Sequence, residues 1–505
     1  MSEQESKIIR MTEKELKDNK LKRSINYSED IEKEIDFLFG NKIGAVYNYG
    51  RDILFDVVPE NLSEVINVLK NNPDLEFDIL SYIKYKEQRN FLIIGLLSYN
   101  KGVTINIRVR HPFAEKRTEY KSVIDSVRQY YETAEYYTDR HYLKDASRDA
   151  VILSQTPETL DSFDIYLSFE DDIITKAYLS NDISSFNQSI LFKISEINKI
   201  IASINILSYK AAIFPEICFC MGIENLLSMK IPKRAVYLRM LLCELFRISS
   251  HLSFIVNTSL VIGSQYLLNY VLTEREKVLN IIEMITGSRI IPNFTRIGGV
   301  KKDIDENTLK TIFKSLPVIF KNIRRIEDSF SSDIVILGKL KEIGNLNVKQ
   351  AQSFALTGPN LRASGFRYDM RKDPGHLLYK DFPFTIPLGR YGDNLDRVII
   401  RFKEIYQSLK IINEIIRIMP VGPVDKMFVP SSIEYEQSSV ISSVECPDGI
   451  FKLYMEIHPD SKIEIIPIGP LSNNMFACEK TLEGCNFNNL LTTISSFCIE
   501  SPEMY

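Results

Sequence analysis

The hydrophobic period becomes predominantly helical from about Ser184, and that shift constrains the fold more than any other feature. Before it, strand-like intervals of two stand beside shorter helical stretches. Val103, Ile105, Ile107 and Val109 alternate with polar neighbours, as do Ile165, Leu167 and Phe169. Such alternation marks a strand with one buried face. From about Ser184 the period is helical. Leu309, Ile312, Phe313, Leu316, Phe320, Ile323 and Ile326 mark one apolar face; Ile405, Leu409, Ile412, Ile416 and Met419 mark another, stopped by Pro420 and Pro423. The expected class is α+β and multidomain: a small N-terminal α/β domain, then a large, mainly helical domain with β-hairpins at its start and end.

The pattern also suggests boundaries. Residues 1–40 read as a charged arm, 41–145 as the α/β domain and 146–505 as the helical one. Ile53 to Val58 is a strand that stops at Pro59, and Leu62, Val65, Ile66 and Leu69 follow at helical spacing. Asn90 to Leu97 and Val103 to Val109 form a hairpin about Tyr99-Asn100-Lys101-Gly102, and a tyrosine-rich helix follows from Ser122. A charged joint, His141 to Asp149, precedes a second hairpin over Ser162 to Tyr178 that turns at Glu170-Asp171-Asp172. The tail after about 430 reads as short strands and loops. The uncharged run Leu252 to Leu272 has the length of a bilayer span. Asn257, Thr258, Ser259, Ser264, Gln265 and Asn269 interrupt it, so the expectation is a buried helix of a large bundle.

Composition removes several functions. The 505 residues carry 62 Lys+Arg against 66 Asp+Glu, a net charge of −4, which is not the basic balance of a nucleic-acid binder. Seven scattered cysteines contain no C-x-x-C pair, so neither a disulfide framework nor a thiolate metal cluster is indicated. The first twenty residues are charged throughout and have no secretory apolar region. There is no G-x-x-x-x-G-K-[ST], no G-x-G-x-x-G opening a helix, no H-E-x-x-H and no G-x-S-x-G. Residue chemistry alone therefore gives no reaction.

Some segments are nevertheless unusually specific. Thr357 to Gly365 (TGPNLRASG) sets two glycines and a proline around Asn360 and Arg362. Arg296 to Val300 (RIGGV) and Gly389 to Arg397, with Asp393 inside it, have the same character, and loops of this kind are where a helical scaffold positions function. Arg247 and His251 stand four apart, on one helix face. Together with Ile231 to Leu252, Thr273 to Arg289, Tyr368 to Lys372 and Gly392 to Arg397, these segments resemble the D subunit of NADH:quinone oxidoreductase (respiratory complex I) over about 150 to 420. Val58 to Ile83, Ser122 to Asp125, Glu132 and Tyr136 resemble its C subunit, fused in front. The D part is related to the large subunits of nickel–iron hydrogenases. Those need two C-x-x-C pairs for their metals, and this chain has none.

The resemblance implies a hydrogenase-large-subunit-like helical domain in a peripheral-arm subunit. Such a subunit lies on the cytoplasmic side of a bacterial inner membrane or the mitochondrial matrix side. It further implies quinone as substrate, with iron–sulfur clusters, FMN and NADH held by partner subunits, a terminal-cluster subunit and membrane-arm subunits among them. No metal or cofactor is assigned to this chain. Tyr209 and Thr156 are the quinone-binding candidates, and Arg247, His251, Arg296, Asn360, Arg362 and Asp393 belong to supporting structure. The pattern also departs from the family. Where the family carries a quinone histidine this sequence has Thr156, which can hydrogen-bond a carbonyl but cannot deliver a proton near neutral pH. The aspartate that partners that histidine aligns with Val261. An arginine and a histidine beside the terminal cluster align with Ile206 and Ile291. The C-terminal part from about 430 is divergent. A structural or assembly subunit with a decayed quinone pocket is the alternative reading.

Overall fold

The computed structural model describes residues 27–86, 91–110, 127–131, 151–153, 164–180, 190–193, 197–372, 377–426, 438–458 and 462–499. Helix α1 (Tyr27–Phe39) opens it. Ile31, Ile35 and Phe39, four apart, are buried, while Glu29, Asp30, Lys33 and Asp36 face outward. This stretch, expected within a charged arm, is a packed amphipathic helix. Its charges lie on the outer face, which composition alone does not reveal.

Five strands follow: β1 (Tyr47–Asn48), β2 (Asp52–Val57), β3 (Ile79–Lys86), β4 (Phe91–Ser98) and β5 (Val103–Arg110), with α2 (Pro59–Asn71) after β2. They form one sheet in the order β1-β2-β5-β4-β3, with β2 and β5 parallel. Ile53, Phe55, Val57, Ile105, Ile107 and Val109 share one core with α1 and α2. Leu54, Tyr82, Phe91 and Ile93 point the opposite way, as the period of two demands. Both faces of β4 are therefore covered. The tyrosine-rich helix expected from Ser122 falls mostly outside the described residues.

Strands β6 (Val151–Leu153), β7 (Asp164–Glu170) and β8 (Ile173–Ser180) make a second, antiparallel sheet. Its hairpin turns at Asp171-Asp172, inside the acidic run that the sequence marks. Strand β9 (Ile190–Lys193) pairs only with the far end of the chain.

The helical body begins with α3 (Ile197–Ile204), a 3-10 segment (Asn205–Ala211), α4 (Ile213–Leu226), α5 (Lys233–Val261) and α6 (Gln265–Thr286). The apolar run Leu252 to Leu272 is not one buried helix. It turns at Ile262-Gly263-Ser264, where Gly263 has φ +78°, and divides between α5 and α6. Among the described residues no helix is long and apolar enough to cross a membrane. A two-strand ribbon, β10 (Thr295–Arg296) and β11 (Gly299–Val300), leads to α7 (Glu306–Ser332), α8 (Ile334–Leu340), α9 (Val348–Ser353), α10 (Gly358–Ala363) and α11 (Asn394–Arg417).

The tail is more regular than expected. Strands β12 (Ser438–Cys446), β13 (Gly449–Ile457) and β14 (Lys462–Ile468) join β9 in an antiparallel sheet, followed by α12 (Leu471–Leu482) and α13 (Leu490–Ser496). One face of this sheet, with Val440, Val444, Leu453 and Met455, belongs to the helical core. The other, with Tyr454, Ile466 and Ile468, packs on Leu54, Phe91 and Ile93 of the first sheet. In β13 alternation persists although both faces are buried, with Phe451, Leu453, Met455 and Ile457 on one side and Lys452, Tyr454 and Glu456 on the other; β12 and β14 alternate less cleanly. The architecture is thus mixed α and β: a β-rich N-terminal region joined to a large helical body.

Candidate functional site

Helix α5 carries Glu244, Arg247 and His251 at spacings of three and four, so all three share one face. That face is completely buried; Glu244 and His251 each meet an opposite or ionisable partner from a distant element, while Arg247 lies 3.4 Å from Glu244 on its own helix. His251 Nε2 lies 3.0 Å from Glu404 Oε2 of α11. The other Glu404 oxygen accepts from Arg362 Nε of α10 at 2.7 Å. Arg362 Nη1 reaches Glu445 of β12 at 2.9 Å and donates to the Tyr368 carbonyl at 3.0 Å. Arg371 forks onto Asp369 at 3.0 and 2.7 Å and lies 3.3 Å from Glu244. Glu244 also accepts from the hydroxyls of Tyr379 and Ser408, each at 2.6 Å. Arg247 donates to the Glu445 carbonyl at 2.6 Å and lies over the Phe214 ring.

The charges set one another's protonation. Burial alone would push the Glu404 carboxyl up, but Arg362, His251 and Arg371 outweigh it and hold that carboxyl well below the usual range. Burial likewise opposes the Asp369 and Glu244 carboxylates, and their arginines again prevail. Glu445 is different: burial and the nearby Asp369 charge raise it against the pull of Arg362 and Arg371. Burial lowers the His251 pKa despite Glu404, so its imidazole is neutral near pH 7. An ionised Glu404 can only accept, so Nε2 carries the imidazole proton. The arrangement is a fixed ionic scaffold that ties α5, α10, α11, β12 and the residues Tyr368, Asp369, Arg371 and Tyr379 together. It is not an acid–base pair open to a substrate.

Three of the residues singled out in the sequence, Arg247, His251 and Arg362, therefore come together. The others do not. Half-buried Arg296 sits in β10, where its carbonyl accepts from Arg239 at 2.8 Å. Asn360 donates to the Phe497 carbonyl at 3.0 Å. Asp393 caps α11 through Asp396 N–H and also accepts from Glu342 N–H, both at 2.8 Å. Tyr209 lies in the 3-10 segment, one residue after Ser208, whose φ of −142° and ψ of 87° break the helical run; its side chain is outside the described set. Thr156 also lies outside the described residues. Val261 is half-buried at the end of α5, and Ile291 is 40% exposed. The sequence reading missed Glu244, Asp369, Arg371, Glu404 and Glu445 as members of the scaffold. A charged residue on an otherwise apolar helix face, as at Glu404, is the signal that could have found some of them. Among the described residues no group of three or more His, Cys, Asp or Glu could hold a metal ion.

The model of the respiratory-chain NADH dehydrogenase 49 Kd subunit family matches residues 262–493. The NADH-quinone oxidoreductase D subunit of Bacillus mycoides is 30% identical over 358 residues, covering 69% of this chain and 96% of its own length. The D subunit of Carboxydothermus hydrogenoformans is 33% identical over 306 residues, covering 60% and 82% respectively. Among solved structures, a chain of the membrane-bound sulfane sulfur reductase, an archaeal respiratory membrane complex, superposes with a TM-score of 0.64. It is 24% identical and covers 69% of this chain and 95% of that one, a likeness of fold. The chain belongs to the D-subunit family of NADH-quinone oxidoreductases.

Proposed function

We propose that the chain is a peripheral-arm subunit of a complex I-like NADH:quinone oxidoreductase, with a C-type portion joined in front of its D-type body. In this reading it lies on the cytoplasmic side of a bacterial inner membrane, or the matrix side of a mitochondrial one. It forms part of the quinone cavity, and electrons arrive from a terminal iron–sulfur cluster on a partner subunit. FMN and NADH sit on other partners. The observation that carries the reading is the extent of the match: 96% of a D-subunit relative is aligned, the length of a whole subunit.

Tyr209 and Thr156 are the residues proposed to hold the quinone. Tyr209 occupies the kinked 3-10 segment between α3 and α4. A second reading, a structural or assembly subunit without quinone chemistry, is favoured by half-buried Val261 and exposed Ile291, which put aliphatic groups where the family has ionisable ones. Purification of the chain with its native partners decides the first point: a cluster-bearing subunit and membrane-arm subunits should co-purify. Within that assembly Tyr209→Phe should lower quinone reductase activity about tenfold, the effect of losing a hydrogen bond worth roughly 1.4 kcal/mol. Unchanged activity would remove Tyr209 from the quinone site, and an assembly inactive even with Tyr209 in place would favour the structural reading.

A further inference from the structure

Glu224, Glu244 and Glu404 each face a guanidinium group; Glu224 receives both terminal nitrogens of Arg239, at 2.6 and 2.9 Å. Glu216 is buried just as completely, in the first turn of α4, and has no such partner among the described residues. Its Oε1 accepts from the backbone N–H of Phe294 at 2.7 Å and from that of Thr295. Its Oε2 makes no hydrogen bond. Neither do Asn205 Oδ1, Asn205 Nδ2 or Thr295 Oγ1, and all three residues are fully buried. The Asn205 and Thr295 side chains stand close enough to this carboxylate to favour its charged form, yet neither meets hydrogen-bond geometry with it. Four unpartnered polar atoms around one buried carboxyl are unusual, because protein interiors satisfy nearly all such groups.

We propose that Glu216, Asn205 and Thr295 form a buried proton-binding pocket, with water or hydronium as its ligand, that feeds protons to the segment carrying Tyr209. Location argues for that direction. Asn205 begins the 3-10 segment four residues before Tyr209 and is adjacent to Ile206; Thr295 stands four residues beyond Ile291. The pocket thus stands on the two segments, around Ile206 and Ile291, that the resemblance aligns with ionisable side chains of the family. Its chemistry fits as well. Burial outweighs the two amides, Asn205 and Thr295, and the Glu216 carboxyl is pushed up to about 7, so acid and carboxylate coexist at neutral pH. Among the described residues, Arg239 and Cys220 feel its charge. Arg239 of α5 is already engaged by Glu224 and by the carbonyls of Arg296 and Gly299. The Cys220 thiol, further along α4, is kept protonated by burial.

The delivery role rests on the quinone-reducing reading. In each transfer the Glu216 O–H bond breaks, its proton passes through the pocket water, and the carboxylate regains a proton from solvent. Two such protons, with two electrons from the cluster-bearing partner, convert quinone to quinol. An infrared titration of the intact chain tests the pocket itself. A carboxylic-acid C=O band should bleach near pH 7 and be missing in Glu216→Gln, which keeps an acceptor for both backbone amides. In Thr295→Val the band should bleach at higher pH, because a group favouring the carboxylate is gone. Absence of a band assignable to Glu216 overturns the pocket, whatever the chain does. In the assembled complex Glu216→Gln should lower kcat about tenfold or more and abolish the limb of the pH–rate profile near pH 7, while Glu216→Asp restores part of the rate with a displaced limb. An unchanged profile overturns proton delivery. A titrating band in a complex that reduces no quinone upholds the pocket and overturns the functional reading instead.

Discussion

Arg362 is the side chain on which the buried scaffold turns. It contacts Glu404 and Glu445 through separate nitrogens and lies 3.7 Å from Asp369, with no exposure to solvent. Buried ion pairs add little net stability over apolar packing, but removing one partner strands the other charge. Arg362→Ala should therefore cost about 3–5 kcal/mol, read as a lowered urea midpoint. Arg362→Lys should recover only part of that loss, because one ammonium cannot reproduce the fork geometry. Loss below about 1 kcal/mol for the alanine variant would show that the carboxylates find other partners. At this scale the sequence was half legible. The spacing of Arg247 and His251 puts them on one face, and the structure does so. Their partners were not legible: His251 meets Glu404 across 153 residues, and no local pattern encodes such a pairing. Asn360, Arg296 and Asp393 stand in glycine-rich surroundings, yet each serves a separate backbone task.

Among the elements, periodicity succeeded where polar and apolar residue types alternate, whether or not one face is solvated. Strand β5 is buried on both faces, yet Thr104, Asn106 and Arg108 on its second face keep the alternation readable. Both N-terminal hairpins and α2 lie where alternation and turn residues put them. On α7 the buried stripe is Leu309, Ile312, Leu316, Ile319, Ile323, Ile326 and Phe330, while Phe313 and Phe320 are 46% and 44% exposed. The two aromatics mimicked core positions by hydrophobicity alone. Position 319 follows the three-to-four spacing more closely. Glycine carries information of another kind. Gly358, which opens α10, has φ +67°, and an added Cβ would meet the Gly449 backbone at 2.7 Å. Gly263, at the α5–α6 turn, has φ +78° but open space around it. Gly358→Ala should thus destabilise by about 3 kcal/mol or more, adding a steric clash to the conformational cost, and Gly263→Ala by only about 1 kcal/mol. Comparing the two thermal midpoints checks this, since equal shifts would leave the close approach to the β12–β13 turn without energetic weight.

At the scale of the molecule, the β-rich N-terminal region and the helical body meet through a contact that is apolar at one place and ionic at another. Lys452 of β13 reaches Asp52 of β2 at 2.6 Å and Thr104 of β5 at 2.8 Å, and Ser443 of β12 donates to the same aspartate. Arg108 of β5 pairs with Asp56 and donates to the Tyr454 hydroxyl at 2.7 Å. Tyr99 donates to the Leu356 carbonyl at 2.6 Å. Buried polar contacts of this kind fix register, because every misaligned arrangement strands a charge. The contact should therefore hold without the covalent joint. A chain cut between residues 141 and 149 and co-expressed as two pieces should purify as a one-to-one complex. Asp52→Ala leaves Lys452 buried without its partner and should weaken that complex by about 3–5 kcal/mol, roughly 10²- to 4 × 10³-fold in dissociation constant. Replacing both members together, Asp52→Asn with Lys452→Met, should recover most of the affinity, since no stranded charge remains. Isothermal titration of the two pieces reads all three values. Separation of the unmutated pieces would show that the joint, rather than the interface, holds the two regions together.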